Sequence, residues 1–309
     1  MSAVLRANSS RAGETMEQVA GVDAVLRAHE AAGRRFSAGG VDSFVLRAGS
    51  GEPVVLMHGV PASSFLYRKV VPELAWRGFD ALSFDLPGLG LADRGADLDY
   101  TVGGLGRFSA DAVDSLGLGS FHLVVHDAGG PVGFELARVV GERVRSLTIL
   151  NTAFELSSVP YPGELFARVA GRMPDPMNRP DVWRLMMRRV GVADMDALSD
   201  AELDAWRVLA LGPDGGAGYL RIMRNLRPSH ESERFAGVVD SRRTRYPVSV
   251  MWGALDPILS LRRQGMSVLR ATGLASMTVV AGKHYLQEDN APAVAELVAA
   301  TAARASGSG

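Results

Sequence analysis

The sequence contains no cysteine among its 309 residues. Disulfide bonds, thiolate nucleophiles and cysteine-ligated metal sites are therefore excluded. Because the absence of cysteine fits a reducing compartment, we expect a cytoplasmic protein. The sequence also lacks a basic surplus, since 33 lysine and arginine residues face 34 aspartate and glutamate residues. Binding to nucleic acid normally depends on clustered positive charge, so we expect no nucleic-acid partner.

Long hydrophobic runs are absent as well. No stretch approaches the roughly 18 apolar residues that a membrane helix needs, and the first residues lack the continuous apolar core of a secretory signal. We therefore expect no membrane association. Residues 1–21 are polar and rich in small side chains, a composition that predicts a flexible tail. Hydrophobic residues nevertheless make up 47% of the chain, enough to bury a large core.

Short apolar runs alternate with helix-like stretches from about residue 41 onward. Several runs, such as 54–57 and 123–125, are apolar on both faces, as in a strand covered on both sides. This alternation predicts an α/β protein with a doubly wound, mostly parallel sheet, in which ligands bind at the carboxyl ends of the strands. The predicted strands are 43–46, 53–57, 80–84, 121–125, 146–150, 248–252 and 277–280, and the predicted helices include 65–76, 105–116, 132–140 and 291–303.

The strand pattern stops between about residues 154 and 240, where the sequence becomes helical in character. Ser199 followed three residues later by Glu202 is typical of a helix start. We expect residues 154–240 to form a helical cap inserted into a core built from 22–153 and 241–305. Ordinary crossover helices are the alternative, but this stretch is far longer than one crossover.

The stretch that carries most chemical information begins with an apolar strand that runs into Asp127. Ala128 follows, and then Gly129 and Gly130 precede a helix. This is the layout of a nucleophile elbow, a sharp turn that projects one side chain above the sheet and leaves the next backbone N–H free to bind an oxyanion. Asp127 stands where serine hydrolases carry serine. The alternative is a glycine-rich loop in which Asp127 only caps the following helix.

Three further features favour a catalytic interpretation. A His58-Gly59-Val60-Pro61 turn follows an early strand, and such turns supply a second oxyanion donor. Asp256 and His284 each follow a later apolar strand. The chain order of nucleophile, acid and histidine is that of the α/β-hydrolase triad. No cluster of histidine, aspartate or glutamate has metal-ligand spacing, so we expect no metal.

With these motifs the sequence resembles the α/β-hydrolase superfamily over about residues 40–305. Within it, the sequence is similar to the branch with an aspartate nucleophile, the haloalkane dehalogenases and epoxide hydrolases. The resemblance implies catalysis by Asp127, His284 and Asp256, an oxyanion hole at Val60 and Ala128, and no cofactor. The residues that carry it are 58–68, 84–93, 125–130 and 150–154.

The resemblance leaves the reaction open. Haloalkane dehalogenases place a tryptophan directly after the nucleophile, where this sequence has Ala128, and many place an asparagine where it has Val60. Epoxide hydrolases use lid tyrosines, for which Tyr219 and Tyr161 are the candidates. We therefore expect an epoxide hydrolase that acts on a small or medium neutral electrophile with water. A haloalkane dehalogenase, and a ligand-binding or non-hydrolytic member of the fold, are the alternatives.

Four further residues have less specific predicted roles. His58 and Trp183 are expected beside the substrate, and Trp183 or Trp206 could supply a halide donor. Asn151, directly after a strand, could assist or replace Asp256. The oligomeric state is left open by the sequence.

Overall fold

Eight strands form one sheet in the part of the chain that the structure describes. The structure is a computed structural model, and it describes residues 16–153, 179–226 and 231–306. The strands are β1 (Gly33–Ala38), β2 (Val41–Gly49), β3 (Glu52–Met57), β4 (Phe79–Phe84), β5 (Phe121–His126), β6 (Val144–Leu150), β7 (Val248–Gly253) and β8 (Thr278–Val280). Their order across the sheet is β1-β2-β4-β3-β5-β6-β7-β8. Strand β2 is antiparallel to β1 and β4, and the other pairs are parallel, so the predicted mostly parallel α/β sheet is confirmed.

The central strands are buried on both faces. All six residues of β5 and all six of β7 are buried, which explains the continuous apolar runs 123–125 and 250–252 within them. Each of the seven predicted strands overlaps an observed one. The sequence did not predict β1, because this edge strand carries Arg34 and Arg35 and is largely exposed.

Eleven α-helices are present in the described residues. They are α1 (Met16–Ala31), α2 (Val70–Trp76), α3 (Val102–Ser115), α4 (Gly129–Val140), α5 (Pro180–Met186), α6 (Asp200–Leu211), α7 (Ala217–Asn225), α8 (Glu231–Val239), α9 (Met266–Thr272), α10 (Leu286–Asp289) and α11 (Ala291–Ser306). Helix α1 begins inside the predicted tail of residues 1–21, so residues 16–21 are helical. Among the helices described here, none combines the length and apolar character that crossing a membrane requires.

The described part of the predicted cap, 179–226 and 231–240, contains α5 to α8 and no strand. Ser199 and Glu202 form the predicted capping box: the Glu202 N–H donates to Ser199 Oγ at 3.2 Å, and the Ser199 N–H donates to Glu202 Oε2 at 3.0 Å. This pair satisfies free backbone groups at the start of α6. The full extent of a cap over 154–240 remains a prediction, because 154–178 lies outside the described residues.

Two side chains join the cap helix α6 to the core loops near the sheet's carboxyl edge. Arg94, which follows β4, donates to the carbonyl oxygens of Leu209 at 2.7 Å and Leu211 at 3.2 Å, at the end of α6. The Trp206 indole N–H donates to the Pro61 carbonyl oxygen at 3.0 Å. Helix α6, in the predicted cap, is thereby fixed to the turn that follows His58.

Candidate active site

Asp127 occupies a strained turn between β5 and α4. Its φ is 53°, and among the described residues it is the only non-glycine with a positive φ. Such a backbone costs about 1–3 kcal/mol and persists only when its surroundings hold it. Here the Asp127 N–H donates to Asn151 O at 3.0 Å, and its carbonyl oxygen accepts from Gly130 N–H at 2.9 Å and Thr152 Oγ1 at 2.6 Å. The elbow predicted from the sequence is thus present in the backbone.

Two glycines allow the elbow and the early turn to approach each other. A Cβ on Gly59 would collide with the carboxylate of Asp127. A Cβ on Gly129 would collide with the carbonyl oxygens of Met57 and His58. Glycine is therefore required at both positions for the turn after β5 and the turn after β3 to pack this closely.

The Asp127 carboxylate lies against backbone N–H groups. The Val60 N–H donates to Asp127 Oδ1 at 2.8 Å. Burial alone would raise the pKa of Asp127, but hydrogen bonding to His284 and its charge, together with the Ala128 N–H, outweigh burial and lower that pKa. Asp127 is therefore ionised, and both predicted oxyanion donors act on its carboxylate.

His284 lies between two carboxylates and is 1% exposed. Its Nε2 is 3.4 Å from Asp127 Oδ2, and its Nδ1 is 2.9 Å from Asp256 Oδ2. Burial lowers the pKa of His284, but the charges and hydrogen bonds of Asp256 and Asp127 outweigh burial and raise the pKa to about 10. His284 is thus an imidazolium in the free protein at neutral pH.

Asp256 is held by four hydrogen bonds in the loop after β7. Its Oδ1 accepts from the N–H groups of Ile258 at 2.8 Å and Leu259 at 2.9 Å. Its Oδ2 accepts from Asn151 Nδ2 at 2.6 Å and from His284. Burial alone raises the pKa of Asp256, yet these contacts, led by His284, lower it. An ionised, fixed carboxylate of this kind orients the imidazole and supports its positive charge.

Asn151 joins the ends of three neighbouring strands. Its Oδ1 accepts from Gly253 N–H at 2.9 Å, and its Nδ2 also donates to Lys283 O at 3.2 Å. A neutral amide cannot supply the negative charge that His284 requires. The geometry therefore makes Asn151 a hydrogen-bond donor that supports Asp256.

His58 lies beneath the turn that carries Val60. Its Nε2 accepts from Leu86 N–H at 3.1 Å, so Nδ1 carries the proton and donates to Gly59 O at 2.9 Å. The ring is fully buried, and burial lowers its pKa. Both ring nitrogens therefore form hydrogen bonds with backbone groups, and His58 stabilises the turn.

The buried indoles also donate to the backbone. Trp183 Nε1 donates to Leu203 O at 2.8 Å, and Trp206 Nε1 donates to Pro61 O, as described above. Trp252 Nε1 donates to Leu259 O at 2.9 Å. The remaining tryptophan, Trp76, is 82% exposed on α2. Each buried indole N–H is therefore already bonded to a carbonyl oxygen.

Of the predicted lid tyrosines, Tyr219 lies on α7 and is 7% exposed, and Tyr161 lies outside the described residues. The structure adds Tyr285, which the sequence interpretation missed. Its ring packs edge-on against His284, with centroids 4.8 Å apart, and against Trp206 at 4.7 Å. The signal that could have revealed it is an aromatic residue directly after a histidine at a strand end.

His126, next to the nucleophile, supports the main chain of His284. Its Nε2–H donates to His284 O at 2.9 Å, and the two ring centroids are 4.9 Å apart. Burial, with a smaller contribution from the nearby charge of His284, lowers the pKa of His126 to about 4, so the ring is neutral. In the described ranges no three histidine, aspartate or glutamate side chains group to hold a metal ion.

A carboxylate held by backbone donors, a histidine beside it and a second carboxylate behind the histidine together permit nucleophilic catalysis. A family model described as alpha/beta hydrolase fold matches residues 52–291. The chain belongs to the α/β-hydrolase-fold family.

Characterised relatives of this α/β-hydrolase include two kinds of enzyme. A haloalkane dehalogenase of Psychrobacter cryohalolentis is 27% identical over 80% of this chain and 82% of its own length. Haloalkane dehalogenase 2 of Mycobacterium bovis is 36% identical over 34% of this chain and 37% of its own. Bifunctional epoxide hydrolase 2 of Sus scrofa is 34% identical over 37% of this chain and 21% of its own. The family and these relatives together show that the chain is a hydrolase.

Solved structures agree on the fold. An α/β hydrolase fold protein from Burkholderia ambifaria superposes with a TM-score of 0.74 at 25% identity and covers 86% of this chain and 96% of its own. Epoxide hydrolase VrEH1 from Vigna radiata superposes with a TM-score of 0.68 at 21% identity over 88% and 97% of the two chains.

Proposed function

We propose that this α/β-hydrolase opens small to medium epoxides to diols without a cofactor, through a covalent ester on Asp127. One observation carries the proposal: Asp127 Oδ1 accepts the Val60 N–H at 2.8 Å while Oδ2 faces His284 Nε2 at 3.4 Å. One oxygen is thus held by the backbone, and the other remains beside the base.

In the first step, Asp127 Oδ2 attacks a carbon of the epoxide. The new C–O bond forms as the bond between that carbon and the ring oxygen breaks, and the electron pair stays on the ring oxygen. The low pKa of Asp127 keeps the nucleophile ionised at neutral pH.

In the second step, neutral His284 takes a proton from a water molecule as the water oxygen attacks Cγ of the Asp127 ester. Negative charge then develops on Oδ1, where the N–H groups of Val60 and Ala128 lie. The Cγ–Oδ2 bond then breaks, the departing diol oxygen takes up the second proton of that water, and the Asp127 carboxylate is regenerated beside a protonated His284. Esterification removes the Asp127 charge that helps to raise the pKa of His284. The imidazole can then lose its proton and act as the general base.

The choice of epoxide over haloalkane rests on the donors near the nucleophile. A halide leaves with a full negative charge, which is costly in a dry site without hydrogen-bond donors. Ala128 offers no side-chain donor, and the three buried indoles are bonded to carbonyl oxygens. Haloalkane dehalogenation is the second candidate, because the Psychrobacter relative aligns over most of the chain.

The mechanism is tested by a single turnover in ¹⁸O-labelled water. We expect the label to enter the Asp127 carboxylate and the first diol to be unlabelled. Asp127→Ala should abolish turnover, and His284→Gln should accumulate an ester that intact mass spectrometry detects as enzyme plus epoxide. His122→Gln is the matched control, because this buried histidine pairs with Glu52 and Ser146 at the other end of the sheet.

Substrate class is tested by a panel of terminal epoxides and bromoalkanes scored for diol and bromide. Diol without bromide supports the proposal. Bromide from the bromoalkanes with no diol from the epoxides would replace it with the dehalogenase function. Label that enters the diol while Asp127 stays unlabelled would overturn the covalent mechanism.

A further inference from the structure

Tyr285 lies at the candidate active site and takes no part in the steps above. It is 3% exposed, and its N–H donates to Gly191 O at 2.9 Å, so the cap fixes its main chain. Its ring packs against His284 and Trp206, and it is 5.8 Å from the His126 ring. The ring is therefore held on several sides.

The Tyr285 hydroxyl, unlike the ring, is not held by a partner among the described residues. Within residues 16–153, 179–226 and 231–306, no group forms a hydrogen bond with it, whereas buried tyrosine hydroxyls normally find a partner. For comparison, the hydroxyls of Tyr67, Tyr100 and Tyr246 donate to carbonyl oxygens. Tyr285 thus carries an unused donor on a ring that packs against His284, the residue beside the Asp127 carboxylate.

The surrounding charges keep this hydroxyl protonated. Burial raises the pKa of Tyr285 well above its ordinary value, and the Asp127 carboxylate, Tyr219 and Asp256 raise it further. The phenol is therefore protonated at neutral pH.

We propose that the Tyr285 hydroxyl donates the proton to the epoxide oxygen as Asp127 attacks, an inference that rests on the proposed function. The bond between carbon and ring oxygen breaks, its electron pair goes to the oxygen, and the Tyr285 proton follows. This transfer is favourable, because an alkoxide is more basic than a phenolate. The His284 imidazolium then returns a proton to the phenolate and becomes the neutral base of the second step.

The proposed proton donor, the Tyr285 hydroxyl, belongs to the core and not to the predicted cap. Tyr285 directly follows His284, so the acid of the first step and the base of the second share one loop. Tyr219 is the matched alternative, because it lies on cap helix α7 and its hydroxyl influences Tyr285. Comparison of the two tyrosines therefore separates a core donor from a cap donor.

The test measures ester formation rather than overall turnover. Tyr285→Phe keeps the ring contacts and removes only the hydroxyl. We expect quench-flow mass spectrometry with styrene oxide to show alkylation of Asp127 slowed about 100-fold, since general acid catalysis typically contributes at least this much. Hydrolysis of the ester, once formed, should change by less than about threefold. Electron-withdrawing ring substituents on styrene oxide should alter the defect in alkylation rate, a dependence that a purely structural role would not produce.

Tyr246→Phe is the control, because that hydroxyl bonds to Val238 O at 2.7 Å and lies outside the site. Thermal unfolding of both variants checks the fold. Alkylation at the wild-type rate in Tyr285→Phe, or a loss confined to Tyr219→Phe, would overturn the assignment while leaving the epoxide mechanism intact. If the wild-type enzyme forms no ester with any epoxide, the proposed function fails, and the role of Tyr285 fails with it.

Discussion

At the scale of single residues, the site is an arrangement of charges around one imidazole. His284 carries a proton between Asp127 and Asp256, and the two carboxylates outweigh the burial that opposes this charge. The proposed mechanism requires the same ring to be neutral in its second step. The charge on Asp256 contributes most to the raised pKa of His284, and the hydrogen bond and charge of Asp127, which esterification would remove, add to it.

The contribution of Asp127 gives a direct prediction. Asp127→Asn keeps the shape of the side chain and removes its charge, as esterification does, so the pKa of His284 should fall from about 10. The imidazole ¹⁵N chemical shifts, followed by NMR against pH, measure the change. An unchanged His284 pKa would contradict it. Glu52→Gln, beside His122, is the control that should leave His284 unaffected.

Residue positions at strand ends could be predicted from the sequence, because parallel strands bring their carboxyl ends to one edge. That rule was sufficient to select Asp127, Asp256 and His284. It could not identify the partners of side chains that meet only in the folded chain. The sequence predicts His58 beside the substrate, yet both of its ring nitrogens bond to backbone groups, and the packing of Tyr285 against His284 is not predicted.

At the scale of elements, Arg68 joins three segments that are distant in sequence. It follows the short turn Ser64–Tyr67 and pairs with both carboxylate oxygens of Glu288 on α10 and with Glu202 on cap helix α6. The Glu288 side chain is fully buried, and Lys69 Nζ also lies 3.0 Å from it. Helix α10 begins two residues after His284, so this ion pair anchors the histidine loop to the core.

The burial of Glu288 predicts unequal effects of two substitutions. Glu288→Gln leaves two cations without a buried partner, and we expect it to lower the free energy of unfolding by about 3 kcal/mol. Glu202→Gln should cost less than about 1 kcal/mol, because the pair is partly exposed and glutamine still completes the capping box with Ser199. Urea unfolding measures both.

Glu73→Gln removes the surface pair with Arg77 on α2 and is the control, with an expected effect of less than about 0.5 kcal/mol. Equal losses in the variants at Glu288 and Glu202 would show that burial does not set the strength of these pairs.

Elements buried on both faces were the most predictable from sequence. Strands β3 and β5 contain continuous apolar runs. Strand β1 and helix α1 bury only part of their surface, so their sequences show only a weak hydrophobic periodicity. The capping box could be predicted because it is local: two side chains three residues apart complete it. The order of strands could not be read from local patterns, since β3 lies between β4 and β5 only after the crossovers have formed.

At the scale of the whole molecule, the buried histidines are protonated differently from one another, and this difference sets the response to pH. His29, packed between Phe44 and Phe65, has a pKa lowered to about 4, chiefly by burial, as does His126. His284 has a pKa raised to about 10. Relative to an ordinary value of 6.5, the folded state resists protonation most strongly at His29 and His126, and burial also lowers the pKa of His58 and His122. His284 instead retains its proton.

The signs of these shifts predict a stability maximum near neutral pH. His29 and His126 contribute stability that is present above pH 6.5 and is lost as the pH falls towards 4, roughly 3 kcal/mol for each ring. The stability from His284 is complete below pH 6.5 and is lost as the pH rises through about 10. We therefore expect the free energy of unfolding to fall on both sides of about pH 6.5 when urea unfolding is measured from pH 4.5 to 9.5.

Two variants test the two sides separately. His29→Phe keeps an aromatic ring between Phe44 and Phe65 and cannot take up a proton, so stability should decline less steeply below pH 6.5 and as before above it. Asp127→Asn removes part of the charge that holds the proton on His284, so the decline above pH 6.5 should become shallower while the acid side is retained. A wild-type profile that is flat from pH 4.5 to 6.5 would show that the buried rings are already charged in the folded protein. The same acid slope in His29→Phe as in the wild type would exclude His29 as a source of that slope and leave it to His126 and the remaining buried groups.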